Sequence, residues 1–190
     1  MAGVILNALL LDVPERVETA RLEMRATRAG RGGEIHEAFL ESHPQLRPWM
    51  PWAAQEQSIE QAERHCREMQ ARWHAREEID FIFYRRSDGL LVGKGGLHTI
   101  DWTVPKFEIG YWIRTSLAGQ GYATEATLGL VALARSALGA HRVEICSDAR
   151  NAASRRVAEK SGFELEGIHR SARRDTSGAL SDACTYARVF

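Results

Sequence analysis

Cysteine is scarce in this chain of 190 residues. The three present, Cys66, Cys146 and Cys184, show no C-x-x-C spacing and cannot all pair. A disulfide framework is therefore not indicated, and a reducing cytoplasm is the expected compartment. Charge of one sign is missing as well, since 25 Lys and Arg balance 25 Asp and Glu. A nucleic-acid partner would ordinarily show as a basic excess, so none is expected. Long apolar runs are absent. The most apolar stretch, Val4 to Leu11, is far shorter than the ~20 residues a membrane span needs. It lacks a basic lead and runs into Asp12 and Pro14, so it reads as a leading strand or a short docking segment of a soluble protein. What remains is ordinary globular composition, 44% hydrophobic and 26% charged. A chain of this length buries roughly 70% of its unfolded surface without staples.

Strand and helix periods alternate along the chain. Leu22-Glu-Met-Arg alternates as a strand, and Ile35, Phe39 and Leu40 form a short helical stripe. Pro48 and Pro51 flank Trp49 and Trp52, which forces turn or extended backbone there. Ser58 with Gln61 spells a capping box, and Ile59, Ala62, Cys66, Met69 and Trp73 continue as a helix to about His74. Strands follow at 79–84, 90–92, 96–100 and 107–113. A broad apolar stripe from Ala123 through Ala126, Leu130 and Ala134 to Leu138 marks a buried helix ended by Gly139. Arg142–Cys146 is a strand, Asn151–Ser161 a helix stopped by Gly162, and Phe163–Leu165 and Cys184–Phe190 are closing strands. No repeat or linker interrupts this, so a lead-in at 1–16 precedes one α+β domain at 17–190.

The segment from Tyr111 to Glu125 is the most informative. A strand enters a loop containing Gly119 and Gly121, and the loop opens directly into a helix. Free first-turn N–H groups and the positive end of the helix dipole make such a turn an anion site, most often for phosphate. No lysine follows Gly121, against a Walker loop, and Thr124 replaces the third glycine of a dinucleotide fingerprint. An ordinary strand-to-helix turn is the other reading of the two glycines. Downstream, Asn151-Ala-Ala-Ser154-Arg-Arg starts a second helix directly after a strand. Ser154 there is either a capping residue or a functional hydroxyl. His65, Cys66 and His74 share one helix but give no four-ligand spacing, so no metal is expected.

Three stretches in order are Phe107-Glu-Ile-Gly-Tyr-Trp-Ile113, Ala118-Gly-Gln-Gly-Tyr-Ala-Thr-Glu-Ala126, and Asn151-Ala-Ala-Ser154 with Glu159-Lys-Ser-Gly-Phe-Glu-Leu-Glu-Gly167. Together they resemble the GNAT superfamily of N-acetyltransferases, and within it the branch of ribosomal-protein N-terminal (alanine/serine) acetyltransferases. Thr19–Arg25, the tryptophan loop at 46–52, and Asp182 with Tyr186 agree, so the resemblance covers about 17–190. It implies an α+β GNAT fold, with a mostly antiparallel mixed sheet splayed at the acetyl-CoA site and helices on both faces. It also implies transfer of an acetyl group from acetyl-CoA to a primary amine, either a protein N-terminus or a small molecule. In this resemblance the backbone of Trp112 and Ile113 pairs with the pantetheine arm. Gly119, Gln120, Gly121, Tyr122, Ala123 and Thr124 cradle the pyrophosphate. Asn151 bonds the pantetheine, and Ser154 donates to the departing thiolate. The family's turn opens with Gln or Arg where this chain has Ala118, and Arg114 is positioned to substitute.

An amine attacks a thioester only when unprotonated, and an α-amino group with pKa near 7.7–8.0 needs modest help. Glu108 is the candidate base, or else a structural acceptor on its strand. Relatives offer another carboxylate after the Gly167 strand, where this chain reads His169-Arg-Ser-Ala-Arg-Arg174, and His169 stands as its substitute. Trp49 and Trp52 are either walls of the acceptor pocket or local core. The closing strands suggest pairing in a homodimer. The rival function is a non-catalytic acyl-CoA-binding regulatory module, and a weaker one is a nucleotide-binding domain.

Overall fold

The computed structural model describes residues 8–190. Ala8–Leu10 form one 3-10 turn, Leu11 follows it, and positions 4–7 of the expected leading segment lie outside the described residues. One eight-stranded sheet carries the fold, in the order β1-β2-β3-β4-β5-β6-β8-β7. The strands are β1 Arg16–Glu18, β2 Leu22–Ala26, β3 Ile79–Arg85, β4 Leu91–Asp101, β5 Lys106–Ile113, β6 Arg142–Asp148, β7 Glu164–Arg174 and β8 Leu180–Val189. Every adjacent pair is antiparallel except β5 and β6.

Four helices cover the sheet: α1 Gly32–Leu46, α2 Ile59–Ala75, α3 Tyr122–Leu138 and α4 Ala152–Lys160. The Ser58 hydroxyl accepts from Gln61 N–H and the Gln61 side chain accepts from Ser58 N–H, completing the capping box expected for α2. Alternation along the strands sorts the core into two layers. On the α1/α2 face, Ile82, Tyr84 and Trp112 pack with Ile35, Phe39 and Cys66. On the α3/α4 face, Phe81, Phe83, Phe107, Ile109, Val143 and Ile145 pack with Ala126, Leu130 and Ala158. Val13, ahead of the expected domain start, is 4% exposed within the second layer.

Several strands run longer than their patterns predict, β4 and β7 most of all. The segments expected at 90–92 and 96–100 are one strand, joined through Gly93-Lys-Gly-Gly96. These glycines belong in the strand because a Cβ on Gly93 would collide with the Trp112 carbonyl and one on Gly95 with that of Gly110. Only bare backbone lets β4 approach β5 this closely. β7 continues nine residues past Leu165 as an exposed, arginine-rich edge that carries no alternating apolar signal.

Candidate active site

β5 and β6 stay paired for only three positions, Lys106↔Arg142, Phe107↔Val143 and Glu108↔Glu144. β5 then follows β4 to Ile113 while β6 follows β8 to Asp148, and the sheet opens between them. A cavity of about 850 Å³ occupies this opening. Gly96 and Gly110, paired in register across β4 and β5, both line it, with the His98 ring lying over Gly110.

The opening exposes one edge of β5. The carbonyls of Gly110 and Trp112 point at β4, close against Gly95 and Gly93, and Arg114 N–H donates to Val92 O. Successive residues alternate in direction, so the N–H and C=O groups of Tyr111 and Ile113 face the gap. This corrects the expected pair: Ile113 presents its backbone to the opening, but Trp112 is engaged by β4 and Tyr111 takes its place. The Trp112 indole instead packs into the α1/α2 layer.

At the end of β5 the chain passes through Gly119, at φ 75°, and Gly121, at φ 83°, into α3. Glycine adopts these angles without the Cβ clash that other residues meet. No side chain caps α3. Its first-turn N–H groups, at Tyr122, Ala123 and Thr124, are therefore free to bind an anion. Arg114 does not assist them. It is buried, and its guanidinium pairs with Glu37 at 2.6 Å and with Glu41, both on α1. The arginine beside the turn is Arg21, missed from the sequence, which donates to the Gln120 carbonyl at 3.0 Å and stacks on Tyr122 at 4.4 Å. The turn itself lies outside the cavity lining.

On the α3/α4 side, Asn151 caps α4, its side-chain oxygen accepting from Ser154 N–H at 3.1 Å. Ser154 is thus not the cap, and its hydroxyl is free to face the cavity. Tyr111 OH lies 3.5 Å from Ser154 Oγ, and burial pushes the phenol up to about 12, so it stays protonated at neutral pH. Tyr111 sits in the recognised motif, but its apolar neighbours hide which parity faces α4.

Glu108, Trp49 and Trp52 line the cavity from the α1/α2 side. Phe39 contacts Trp52 at 5.9 Å between ring centroids, and Trp52 remains 46% exposed. Deeper in, the Lys94 ammonium pairs with Asp80 and lies 3.1 Å from His65 Nε2. Burial and the Lys94 charge push His65 down to about 4, so the imidazole is neutral. Among the described residues, four other lining carboxylates face cations, Asp80 Lys94, Glu68 Arg64, Glu78 Arg72 and Asp148 Arg150, and the exposed Glu56 lies 3.8 Å from the His43 ring. Glu108 forms no ion pair; its neighbour is Cys146, whose thiol is pushed up to about 11 by burial and then by the Glu108 charge. On β7, Arg173 rather than His169 lines the cavity. No group of three or more His, Cys, Asp or Glu among the described residues is arranged to hold a metal.

This arrangement joins an uncapped helix start and a free strand edge on one side to an unpaired carboxylate on the other. It matches known proteins. The family model described as "Acetyltransferase (GNAT) domain" matches residues 21–164. The Bacillus subtilis (strain 168) protein "Putative ribosomal N-acetyltransferase YdaF" is 42% identical over 42% of this chain and 44% of its own length. "Probable N-acetyltransferase YjcK" of the same organism is 35% identical over 60% of this chain and 63% of its own length. The match thus spans less than two thirds of these curated relatives. The structure of RimL, a ribosomal L7/L12 alpha-N-protein acetyltransferase in complex with coenzyme A, superposes with a TM-score of 0.85 at 22% identity. It covers 94% of this chain and 97% of that one, a likeness of fold.

Proposed function

The chain belongs to the GNAT acetyltransferase family, and from that premise we propose that it is an acetyl-CoA-dependent N-acetyltransferase acting on a primary amine. The observation that carries this is the cavity through the β5/β6 opening, lined by Ser154 on one side and Glu108 on the other. The ribosomal names of YdaF and RimL support a protein N-terminal amine as acceptor, with a small-molecule amine as the alternative. A cytoplasmic setting fits three cysteines that are all free, and no described helix is long and apolar enough to cross a membrane.

The residues fit the cosubstrate. Acetyl-CoA supplies an activated acetyl thioester. Gly119 to Thr124 hold its pyrophosphate through backbone N–H groups and the α3 dipole. The outward edge of β5 at Tyr111 and Ile113 hydrogen-bonds the pantetheine amides, and one of these N–H groups stabilises charge on the carbonyl oxygen. Asn151 caps with its oxygen, which leaves its NH2 donors for the same arm. On the opposite face Glu108 takes the proton that the amine must lose. Ser154 donates its proton toward the departing sulfur, with the Tyr111 hydroxyl behind it.

Calorimetric titration with acetyl-CoA, with ATP and NAD as controls, is the direct test. Micromolar binding with silent controls is expected, followed by turnover on a panel of amines. No heat from acetyl-CoA overturns the reading. Binding without turnover of any amine points instead to a non-catalytic acyl-CoA module.

A further inference from the structure

We propose that Arg173 forms an anion subsite in the acceptor cavity, so that the amine this protein acetylates also carries a carboxylate or a phosphate. The inference rests on the acetyltransferase reading and adds the chemical class of the acceptor.

Three observations carry it. First, Arg173 lines the cavity half-buried, and among the described residues it forms no ion pair. The other lysine and arginine in the lining are neutralised, Lys94 by Asp80 and Arg64 by Glu68 at 3.7 Å. Second, its one hydrogen bond is long, Nη2 donating to the Trp49 carbonyl at 3.5 Å. A guanidinium has five N–H donors and matches carboxylate or phosphate in a two-pronged geometry. With one neutral carbonyl as its partner, the half-buried guanidinium keeps most of its donors free of protein acceptors and available to a ligand. Third, the backbone is bent to place it. β7 and β8 pair at His169↔Ala183 and again at Arg173↔Ser181, so Arg170, Ser171 and Ala172 oppose Asp182 alone. Ser171 sits in the bulge at φ 51°, a left-handed conformation uncommon outside glycine, and Asp182 accepts from its N–H at 2.8 Å. Bulges beside sites re-aim side chains, and strain of this kind persists only where neighbours enforce it. In this case the side chain brought to the cavity is Arg173.

The acceptor then meets two uncompensated charges, Glu108 for its ammonium and Arg173 for its anion. Matched pairs of acceptors test this. Aspartyl-alanine amide against asparaginyl-alanine amide probes a carboxylate, and phosphoethanolamine against ethanolamine probes a phosphate. Wild type should show kcat/KM higher by about tenfold or more for the charged member of one pair, the size of a charge-assisted hydrogen bond. Arg173→Gln should bring that ratio near one, Arg173→Lys should keep part of it, and acetyl-CoA affinity should not change. A wild type indifferent to charge, or a ratio that survives Arg173→Gln, overturns the subsite while leaving the acetyltransferase reading intact. Loss of acetyl-CoA binding in wild type overturns that reading instead. If no acceptor turns over, the same pairs are titrated by calorimetry onto protein saturated with coenzyme A. Preferential binding of the anionic member that Arg173→Gln abolishes supports the subsite, and equal Kd values refute it.

Discussion

Replacing Ser154 by alanine separates a chemical role from a structural one. The structural loss is small by construction. Asn151, not Ser154, caps α4, and the Ser154 N–H that Asn151 accepts at 3.1 Å is retained in alanine. The Tyr111–Ser154 contact is long at 3.5 Å, so the ground state loses little when the hydroxyl goes. The melting temperature should therefore move by less than about 2 °C, the shift of under ~1 kcal/mol in a domain of this size. Catalysis should respond more. A hydrogen bond to a group gaining negative charge is worth roughly 1.5–3 kcal/mol. At 1.36 kcal/mol per factor of ten, kcat should fall by about 10- to 150-fold. Acetyl-CoA affinity should stay within about twofold, since the contacts proposed for the pyrophosphate and pantetheine come from backbone groups and Asn151 rather than from the Ser154 hydroxyl. The assay is steady-state acetylation under saturating acetyl-CoA, with calorimetry for Kd and a thermal melt for stability. A kcat unchanged within twofold removes Ser154 from the reaction. A fall in kcat accompanied by a large drop in melting temperature makes it a packing residue.

Glu108→Gln should slow acetylation most at low pH, where the amine is protonated and depends on a base, and least at high pH; a loss uniform across pH reduces Glu108 to scaffolding. Gly121→Val forces a β-branched residue to φ 83° and should weaken acetyl-CoA binding more than tenfold by calorimetry, with an unchanged Kd refuting the role of the turn. Glu41 supplies a pH signature. Burial would raise its pKa, but Ser116 through side chain and backbone, and the Arg114 guanidinium, outweigh it and hold the carboxyl at about 2 against an ordinary 4.5. The unfolded chain therefore takes up this proton first, so the contribution is complete above about pH 5 and is lost as pH falls toward 2. Melts of Glu41→Gln against wild type should differ most near neutral pH and converge in acid; a constant gap refutes the linkage.

Elements with a strong local signal were legible in the sequence. The capping box at Ser58, the apolar stripe of α3 and the Gly119–Gly121 turn each announce themselves within a few residues, because caps, periodicity and positive φ are local requirements. Positions that depend on parity or distant partners were not. The end of β5, Tyr111-Trp112-Ile113, is aromatic or aliphatic on both faces, so its pattern does not say whether Tyr111 or Trp112 turns its backbone to the gap. Arg114 lies near the turn in sequence, yet its partners Glu37 and Glu41 come from a helix about 75 residues away. β7 was read as three residues because an edge strand exposed along its length has no hydrophobic face to display. Arg173 lay hidden in that stretch. Only the bulge at Ser171, set by the register with β8, determines that it and not His169 reaches the cavity.

On the acetyltransferase reading proposed above, the two faces of the sheet would divide the substrates by charge. The α3 side presents uncapped N–H groups and a positive helix end, suited to the anionic cosubstrate. Among the described residues the α1/α2 side has most of its charges cancelled internally, since Lys94 with Asp80, Arg64 with Glu68 and neutral His65 add little net field. Internal pairs of this kind shape a cavity without drawing a ligand of either sign. Apart from the exposed Glu56, what remains are Glu108 near the opening and Arg173 at the bulge, opposite in sign and each without a counter-ion. Leaving two half-buried charges unmatched is costly unless a ligand completes both. A neutral acceptor would satisfy neither at once, whereas one bearing both an ammonium and an anion would satisfy the pair and fix its own orientation. By this reasoning the Arg173→Gln and Glu108→Gln effects on binding of an anionic amine should not add. A double variant should lose less binding energy than the sum of the single losses, and strict additivity would mean that the two charges do not share one acceptor.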